Sequence, residues 1–240
     1  MLEKLEKFQL VLLAFILACG IFCATKYATN ALSKESISVT GSAYEIVTSD
    51  SGKVYMDLEI QAKTKALAYQ KLKQQLPQVK KYLEDKGVDS INVKNYNGYY
   101  TYKYNPVSGN YTNEVESYKL SQPIEVTSKD VNKIKEISID AQNLIDKGID
   151  IGSINTDYYY SKLSDLKVKL LQAATDDAKE RASAMLKATR NRVGKIQSVK
   201  MGVFQITEPD STNVSDMGIN DTSTIEKKVT AVANVVFKIK

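Results

Sequence analysis

Carboxylates are the residues of this chain that could carry acid–base chemistry. They form two groups, one beside the first predicted strands and one on a long predicted helix: Glu45, Asp50, Asp57 and Glu59, and Asp176, Asp177 and Glu180. Paired carboxylates work as acid and base only when burial or mutual contact separates their pKa values. The helical group falls on the polar side of its helix, which is typical of a solvated surface. We therefore predict no catalytic residue and expect that the chain is not an enzyme.

The residue types that the chain lacks exclude several other mechanisms. None of the 240 residues is histidine, which excludes a Ser-His-Asp relay and an imidazole metal ligand. The two cysteines, Cys19 and Cys23, both lie in one apolar segment near the N-terminus. This placement excludes a thiolate zinc site or a disulfide framework in the rest of the chain. Because the sequence also contains no glycine-rich phosphate loop, we expect no metal and no cofactor.

Tyrosine is the most concentrated residue type that could form a binding surface. The segment NYNGYYTYKYNPVSGNY, residues 95–111, is the richest in tyrosine, and the candidate interface residues are Tyr96, Tyr99, Tyr100, Tyr102 and Tyr104. Tyrosine buries a large ring at low entropy cost and keeps a hydroxyl for hydrogen bonds, which suits a protein interface or stacking on a sugar. The same residues are ordinary on a β-hairpin surface. Three interpretations therefore stay open: a plain surface, an assembly interface and a glycan site.

An apolar segment near the N-terminus predicts a membrane location. Residues 8–24, FQLVLLAFILACGIFCA, carry no charge and are just long enough to span a bilayer as a helix. We expect residues 1–9 to be cytoplasmic, residues 10–25 to be a transmembrane anchor or signal segment, and residues 26–35 to be a linker. An uncleaved anchor is favoured, because no clean small-residue cleavage site follows. The predicted location is the cytoplasmic membrane, crossed once, with the C-terminal domain extracytoplasmic in the periplasm or at the cell surface.

Cys19 is a candidate lipidation site within the same segment. The tetrad Ile16-Leu17-Ala18-Cys19 fits a permissive lipobox. Cysteine is also a small hydrophobic residue that is common in apolar helices, so both interpretations stay open.

The charge of the chain argues against a nucleic-acid partner. The formal net charge is +5, and the arginines among its 33 basic residues are only Arg181, Arg190 and Arg192. Recognition of phosphates and guanine edges favours the planar fork of arginine. We therefore expect no nucleic acid among the partners.

Hydrophobic periodicity predicts an α+β fold. Apolar and polar residues alternate from Val54 to Gln61, which predicts a half-buried strand. Apolar residues at helical spacing then predict a helix from Thr64 to Lys86. A hairpin over residues 90–126, a helix after Asp130 and a strand over residues 149–160 follow. This order is that of a ferredoxin-like split β-α-β unit with an antiparallel sheet.

Further elements lie on both sides of this unit. The pair Gly41-Ser42 predicts a turn after a first strand, and residues 162–189 predict a long helix. Its alanines, Ala174, Ala178 and Ala182, are spaced to let another backbone approach, either within the core or from a second subunit. A C-terminal hairpin joins residues 195–206 to residues 227–240.

Several segments, taken in order, resemble the SIMPL domain over residues 36–240. They are ISVTGSA from Ile37, KVYMDLEIQAKTKALAYQKL from Lys53, LEDKGVD, IEVTSKDVNKI from Ile124, KGIDIGSI and LLQAATDDAKERASAMLK from Leu170. The resemblance implies an exported bacterial envelope protein, in a family sometimes linked to oxidative or envelope stress, with at least one member that assembles into a ring or channel-like oligomer. It supplies no catalytic residue. The chain departs from the family where it has Thr189-Arg190-Asn191-Arg192 after the long helix, in place of a glycine.

The combined expectation is a membrane-anchored, extracytoplasmic SIMPL-type protein that acts by self-assembly or by binding a partner in the cell envelope. A homo-oligomer is the expected state, and the other partner would be an unknown envelope protein or glycan. Two alternatives remain: a monomeric glycan- or peptide-binding module, and a carboxylate-based envelope hydrolase.

Overall fold

The chain folds into helices and two mostly antiparallel sheets, which confirms the predicted α+β class. The structure is a computed structural model and describes residues 13–27 and 35–240. The helices are α1 (residues 13–27), α2 (Lys65–Asp85), α3 (Val131–Asp140), α4 (Asn143–Asp146) and α5 (Leu163–Lys187). The strands are β1 (Ser36–Thr48), β2 (Ser51–Ala62), β3 (Ser90–Val93), β4 (Asn97–Asn105), β5 (Asn110–Ser128), β6 (Ile151–Tyr159), β7 (Val193–Met201), β8 (Gln205–Thr207), β9 (Ile219–Asn220) and β10 (Glu226–Ile239).

The first sheet is the predicted ferredoxin-like unit. Its strand order is β3-β5-β2-β6, with β4 beside β5, and all of these pairs are antiparallel. Alternation along β2 points four apolar side chains to one face: Val54, Met56, Leu58 and Ile60. Helices α2 and α3 pack on this face and form one core with it. Burying each such side chain stabilises the fold by about 1.5–3 kcal/mol.

Helix α2 begins and ends at residues that the sequence marks. Thr64 caps its N-terminus, since the hydroxyl accepts the N–H of Leu67 at 3.3 Å. Gly87 follows its C-terminus with a φ of 65°, a left-handed conformation that glycine adopts without steric cost.

The second sheet contains the predicted C-terminal hairpin. Its strand order is β1-β10-β8-β9, and β7 also pairs with β10. Both β7 and β8 are antiparallel to β10, whereas β9 is parallel to β8. The buried apolar residues of β10 alternate along the strand and are Val229, Ala231, Ala233, Val235 and Phe237.

The described residues divide into two compact units. The larger unit comprises residues 43–172 and 203–231 and contains the whole first sheet with α2 and α3. The smaller unit comprises residues 13–27, 35–42, 173–202 and 232–240 of the described chain. It contains α1, β7, the first part of β1 and the C-terminal parts of α5 and β10.

The turn predicted at Gly41-Ser42 is wrong, because β1 continues through both residues to Thr48. Gly41 instead lies directly against α5 in the smaller unit. A Cβ atom on Gly41 would overlap the carbonyl of Ala174 and the amide of Ala178. The glycine is therefore required by the close approach of two backbones. The alanines of α5, which are fully buried at positions 174 and 178, provide that space within the chain.

The predicted single-pass membrane location is contradicted. Within residues 13–27 and 35–240, no helix is long and apolar enough to cross a bilayer. The predicted cytoplasmic segment, residues 1–9, and most of the predicted linker lie outside the described residues.

Candidate functional site

A two-stranded ribbon carries most of the candidate tyrosines. Strand β2 ends at Ala62, opposite Tyr118, so residues 110–117 of β5 pair only with β4 among the described strands. We call residues 97–119 the tyrosine ribbon. A two-stranded ribbon is marginally stable alone, and both of its edges present unpaired backbone groups.

One face of the ribbon is aromatic. Alternation along β4 places Tyr100, Tyr102 and Tyr104 on this face. Cross-strand contacts support the assignment: the rings of Tyr100 and Tyr118 lie 4.9 Å apart, and those of Tyr104 and Tyr111 lie 5.4 Å apart. Both pairs are edge-to-face, a favourable arrangement of aromatic rings. We call the surface formed by Tyr100, Tyr102, Tyr104, Tyr111 and Val115 the aromatic face.

The aromatic face continues the core face of the first sheet. On β5, Tyr118 and Leu120 point into the core and are 5% and 2% exposed. Farther along the ribbon, Val115 is 47% exposed and Tyr111 is 75% exposed. The same side of the sheet therefore changes from a covered core to an uncovered apolar surface.

The sequence identified the tyrosines but not how they divide between the faces. Tyr99 pairs with Lys119 in register and lies on the face opposite to Tyr100. Tyr96 precedes β4, and its ring lies 5.9 Å from that of Tyr69 on α2. Neither belongs to the aromatic face. Val115, which does belong to it, was missed, although it follows Tyr111 in the second strand of the predicted hairpin.

The tyrosine ribbon also carries charged side chains of both signs. Lys103 and Glu114 form an ion pair at 2.8 Å across the ribbon. Their hydrogen bond raises the pKa of Lys103 and lowers the pKa of Glu114. Such an exposed pair adds little stability, but together with Glu116 and Lys119 it gives the ribbon equal numbers of opposite charges.

A concavity also lies on the ribbon. Its volume is about 420 Å³, and it is lined by Gln61, Tyr99, Tyr100, Thr101, Tyr102, Tyr111, Glu116 and Lys119. Aromatic rings beside polar side chains are suited to stacking on a sugar and bonding its hydroxyls.

Three of the four candidate carboxylates of the first group act as acceptors that hold loops and strands. Asp50 accepts both the N–H and the hydroxyl of Ser161, at 3.0 Å and 2.6 Å. Asp57 accepts the hydroxyl of Ser153 at 2.9 Å. Glu45 pairs with Lys169 at 2.6 Å. These contacts give Glu45, Asp50 and Asp57 structural partners.

In the second group, Asp177 has a structural role. It accepts the N–H of Ser42 at 2.8 Å and the Nε–H of Arg181 at 2.8 Å, and these bonds lower its pKa. Asp176 and Glu180 are exposed, as expected for a solvated helix face. Across the described chain, no group of three or more Cys, Asp or Glu residues could hold a metal ion.

Cys19 lies on α1 with an exposed, unbridged side chain. Its lipidation stays a prediction.

Comparison with known proteins identifies the family. No curated protein matches the chain significantly. A family model, SIMPL, described as a protein of unknown function (DUF541), matches residues 37–237. This range covers most of the 240 residues and includes every strand residue except Ser36 of β1 and Lys238 and Ile239 of β10. The chain therefore belongs to the SIMPL family, as its ordered sequence segments predict.

Proposed function

We propose that this SIMPL-family chain is an interaction protein whose copies associate through the aromatic face of the tyrosine ribbon. The proposal rests on one observation: the side of the first sheet that is buried in the core continues along the tyrosine ribbon as an exposed surface. Side chains on that face are 5% exposed at Tyr118 but 55% exposed at Tyr104. Contiguous apolar surface next to polar residues is typical of protein interaction sites.

The open edges of the ribbon favour a protein partner. Among the described strands, none pairs with residues 110–117 of β5 on the side that β2 occupies farther along. Proteins commonly protect such edges by charge, bulges or covering elements. The ribbon has irregular register beyond Thr101, and a partner would supply the cover that no described helix provides.

A second copy of the chain is the partner that the charges favour. Lys103 and Lys119 balance Glu114 and Glu116 on the ribbon, so two ribbons in a twofold arrangement do not repel each other. An isologous contact of this kind brings the same surface of both copies together. A strongly one-signed ribbon would instead favour a partner of opposite charge.

The size of the surface is sufficient for a modest interface. Aromatic side chains bury about 150–250 Å² when fully covered, and the residues of the aromatic face are roughly half exposed. Two copies would therefore bury about 1,000 Å² in total, the lower limit for a specific interface. We expect association at tens of micromolar, on the order of a modest affinity.

The test compares the two faces of the ribbon. A variant with Tyr100→Ser, Tyr102→Ser and Tyr104→Ser removes the rings of the aromatic face, and Tyr99→Ser removes a more exposed ring from the other face. Sedimentation equilibrium should show loss of the oligomer for the triple variant and retention for Tyr99→Ser. Circular dichroism checks that both variants stay folded. Equal effects of the two variants, or a monomeric parent chain, would reject the proposal.

Glycan binding is a second candidate, and the concavity of about 420 Å³ favours it. Tyr99 lines this concavity but does not belong to the aromatic face. Tyr99→Ser should therefore abolish binding of an oligosaccharide while leaving the molecular mass unchanged. Oligosaccharide arrays followed by titration of the parent and Tyr99→Ser chains separate the two functions.

A further inference from the structure

Two segments of the smaller unit, residues 187–202 and 232–240, carry positive charge and no acidic side chain. Residues 187–202 and 232–240 contain no Asp or Glu, and their basic residues are Lys187, Arg190, Arg192, Lys195, Lys200, Lys238 and Lys240. Both segments belong to the smaller unit. A cluster of one sign raises the local concentration of ions of the opposite sign.

Part of this charge surrounds an open concavity of about 330 Å³. The residues that line it are Ser183, Lys187, Arg190, Asn191, Arg192 and Val193. Two of the chain's three arginines are therefore in one place, together with a lysine and two neutral hydrogen-bonding side chains.

The cations of the concavity are not neutralised by carboxylates. Among residues 13–27 and 35–240, no acidic side chain lies within 4.0 Å of Lys187, Arg190 or Arg192. The third arginine differs, because Arg181 pairs with Asp177 at 2.8 Å. The charges at the concavity thus remain available for an external anion.

The backbone holds Arg190 in a strained conformation. Its φ is 60°, and no other non-glycine residue in the described part of the chain has a positive φ. This left-handed conformation costs about 1–2 kcal/mol for a residue with a Cβ. The turn is closed by the N–H of Asn191, which donates to the carbonyl of Leu186 at 3.1 Å. Strain of this kind is concentrated at functional sites, and a glycine would remove it.

We propose that the concavity binds a phosphate group, carried either by a small soluble molecule or by a lipid headgroup. Guanidinium groups match phosphate oxygens with two parallel N–H donors, and Ser183 and Asn191 can add neutral donors. Three unpaired cations favour a dianionic phosphate over a singly charged carboxylate. This site is independent of the tyrosine ribbon and of the proposed association.

The test uses the full chain and inorganic phosphate at constant ionic strength, followed by phosphorus NMR. Arg192→Gln should weaken binding at least about tenfold, since a charge-assisted bond is lost. Arg181→Gln is the matched control, because it removes an arginine that is already paired, and should leave binding within about twofold. An equal loss in both variants, or equally strong competition by acetate, would overturn the proposal.

Arg190→Gly separates a binding role from a structural one. The exchange removes both the backbone strain and the guanidinium, so the chain should become more stable while phosphate binding weakens. If stability and binding both fall, Arg190 has a structural role and the proposal fails at this residue.

Vesicles identify the source of the phosphate group. Phosphatidic acid in a phosphatidylcholine vesicle presents a phosphate headgroup, and pure phosphatidylcholine is the control. Binding of free phosphate supports a soluble ligand, whereas binding only to phosphatidic-acid vesicles, lost in Arg192→Gln, supports the lipid source. Absence of binding to both probes overturns the proposal.

Discussion

Substitution of Gly41 by alanine tests the close approach of β1 to α5. The new Cβ would lie 2.8 Å from the Cα of Ala178 and would overlap the carbonyl of Ala174. Carbon atoms in contact normally lie about 3.5–4.0 Å apart. The obstructing atoms belong to the helix backbone, so no side-chain rotation can relieve the overlap. We therefore expect β1 to move away from α5 by about 1 Å.

The cost can be worked out from the contacts that this shift disturbs. Overpacking of a filled interior costs about 1–3 kcal/mol. The N–H of Ser42, next to the substituted residue, donates to Asp177 at 2.8 Å, and weakening a bond to a charged acceptor adds about 1–2 kcal/mol. We expect the free energy of unfolding to fall by about 3–4 kcal/mol, which lowers Tm by about 6–16 °C in a chain of this size.

Urea and thermal unfolding of Gly41→Ala and of a control variant measure this cost. Gly20→Ala is the control, because no heavy atom lies within 4 Å of the Cβ that it adds. Its free energy of unfolding should change by less than about 1 kcal/mol. A Gly41→Ala chain as stable as the parent would refute the close approach. Rescue of Gly41→Ala by Ala174→Gly would also refute it, since the overlap involves backbone atoms.

Three further variants test the electrostatics and the turn geometry. Glu125, which bonds Lys53 and Lys94 at 2.7 Å each, has a pKa lowered to about 2 by these lysines, chiefly by Lys53. Its stabilisation is therefore complete above the unfolded-state pKa near 4.5 and lost as pH falls towards 2. Glu125→Gln should remove about 1–2 kcal/mol after solvent screening, and urea unfolding at pH 7 should show a larger difference from the parent than at pH 3. Arg190→Gly should raise the free energy of unfolding by up to about 1 kcal/mol, and an unchanged or lower urea midpoint would contradict the strained turn. Lys227 is 4% exposed and donates to the carbonyls of Asp221 and Thr224 at 2.8 Å and 2.7 Å; Lys227→Met should cost about 2 kcal/mol in urea unfolding, and a neutral result would show that these bonds contribute no net stability.

The sequence predicts the first sheet well because its signals are local. Alternation in β2 and helical spacing in α2 each follow from which side of one element is buried. The cap at Thr64 and the glycine stop at Gly87 mark the ends of α2 for reasons that involve only neighbouring residues.

The errors involve contacts between elements that are distant in sequence. Glycine followed by serine is typical of a turn, but the role of Gly41 depends on its contact with α5, more than 130 residues later in the sequence. The members of the aromatic face could not be assigned from the sequence, because the pairing of β4 with β5 shifts register after Thr101. A bulge of this kind changes which residues share a side of the sheet. The basic concavity includes a left-handed backbone conformation at Arg190. The sequence does not indicate this conformation, because no glycine occupies the position.

For the N-terminal segment, the membrane span that we predicted from apolar composition is contradicted by the structure. A charge-free apolar run predicts a membrane span by its length. Among residues 13–27 and 35–240, however, no helix is long and apolar enough to cross a bilayer.

Cross-linking across the aromatic face tests the proposed association most directly. In a chain with Cys19→Ser and Cys23→Ser, a single cysteine is introduced as Val115→Cys on the aromatic face or as Val214→Cys in the loop after β8. Val214 is 80% exposed and Val115 is 47% exposed, so random collision favours the control position. The account predicts that mild oxidation at tens of micromolar, on the order of the expected affinity, yields a covalent dimer from Val115→Cys and little from Val214→Cys. Equal yields from the two positions, or no dimer from Val115→Cys, would contradict it.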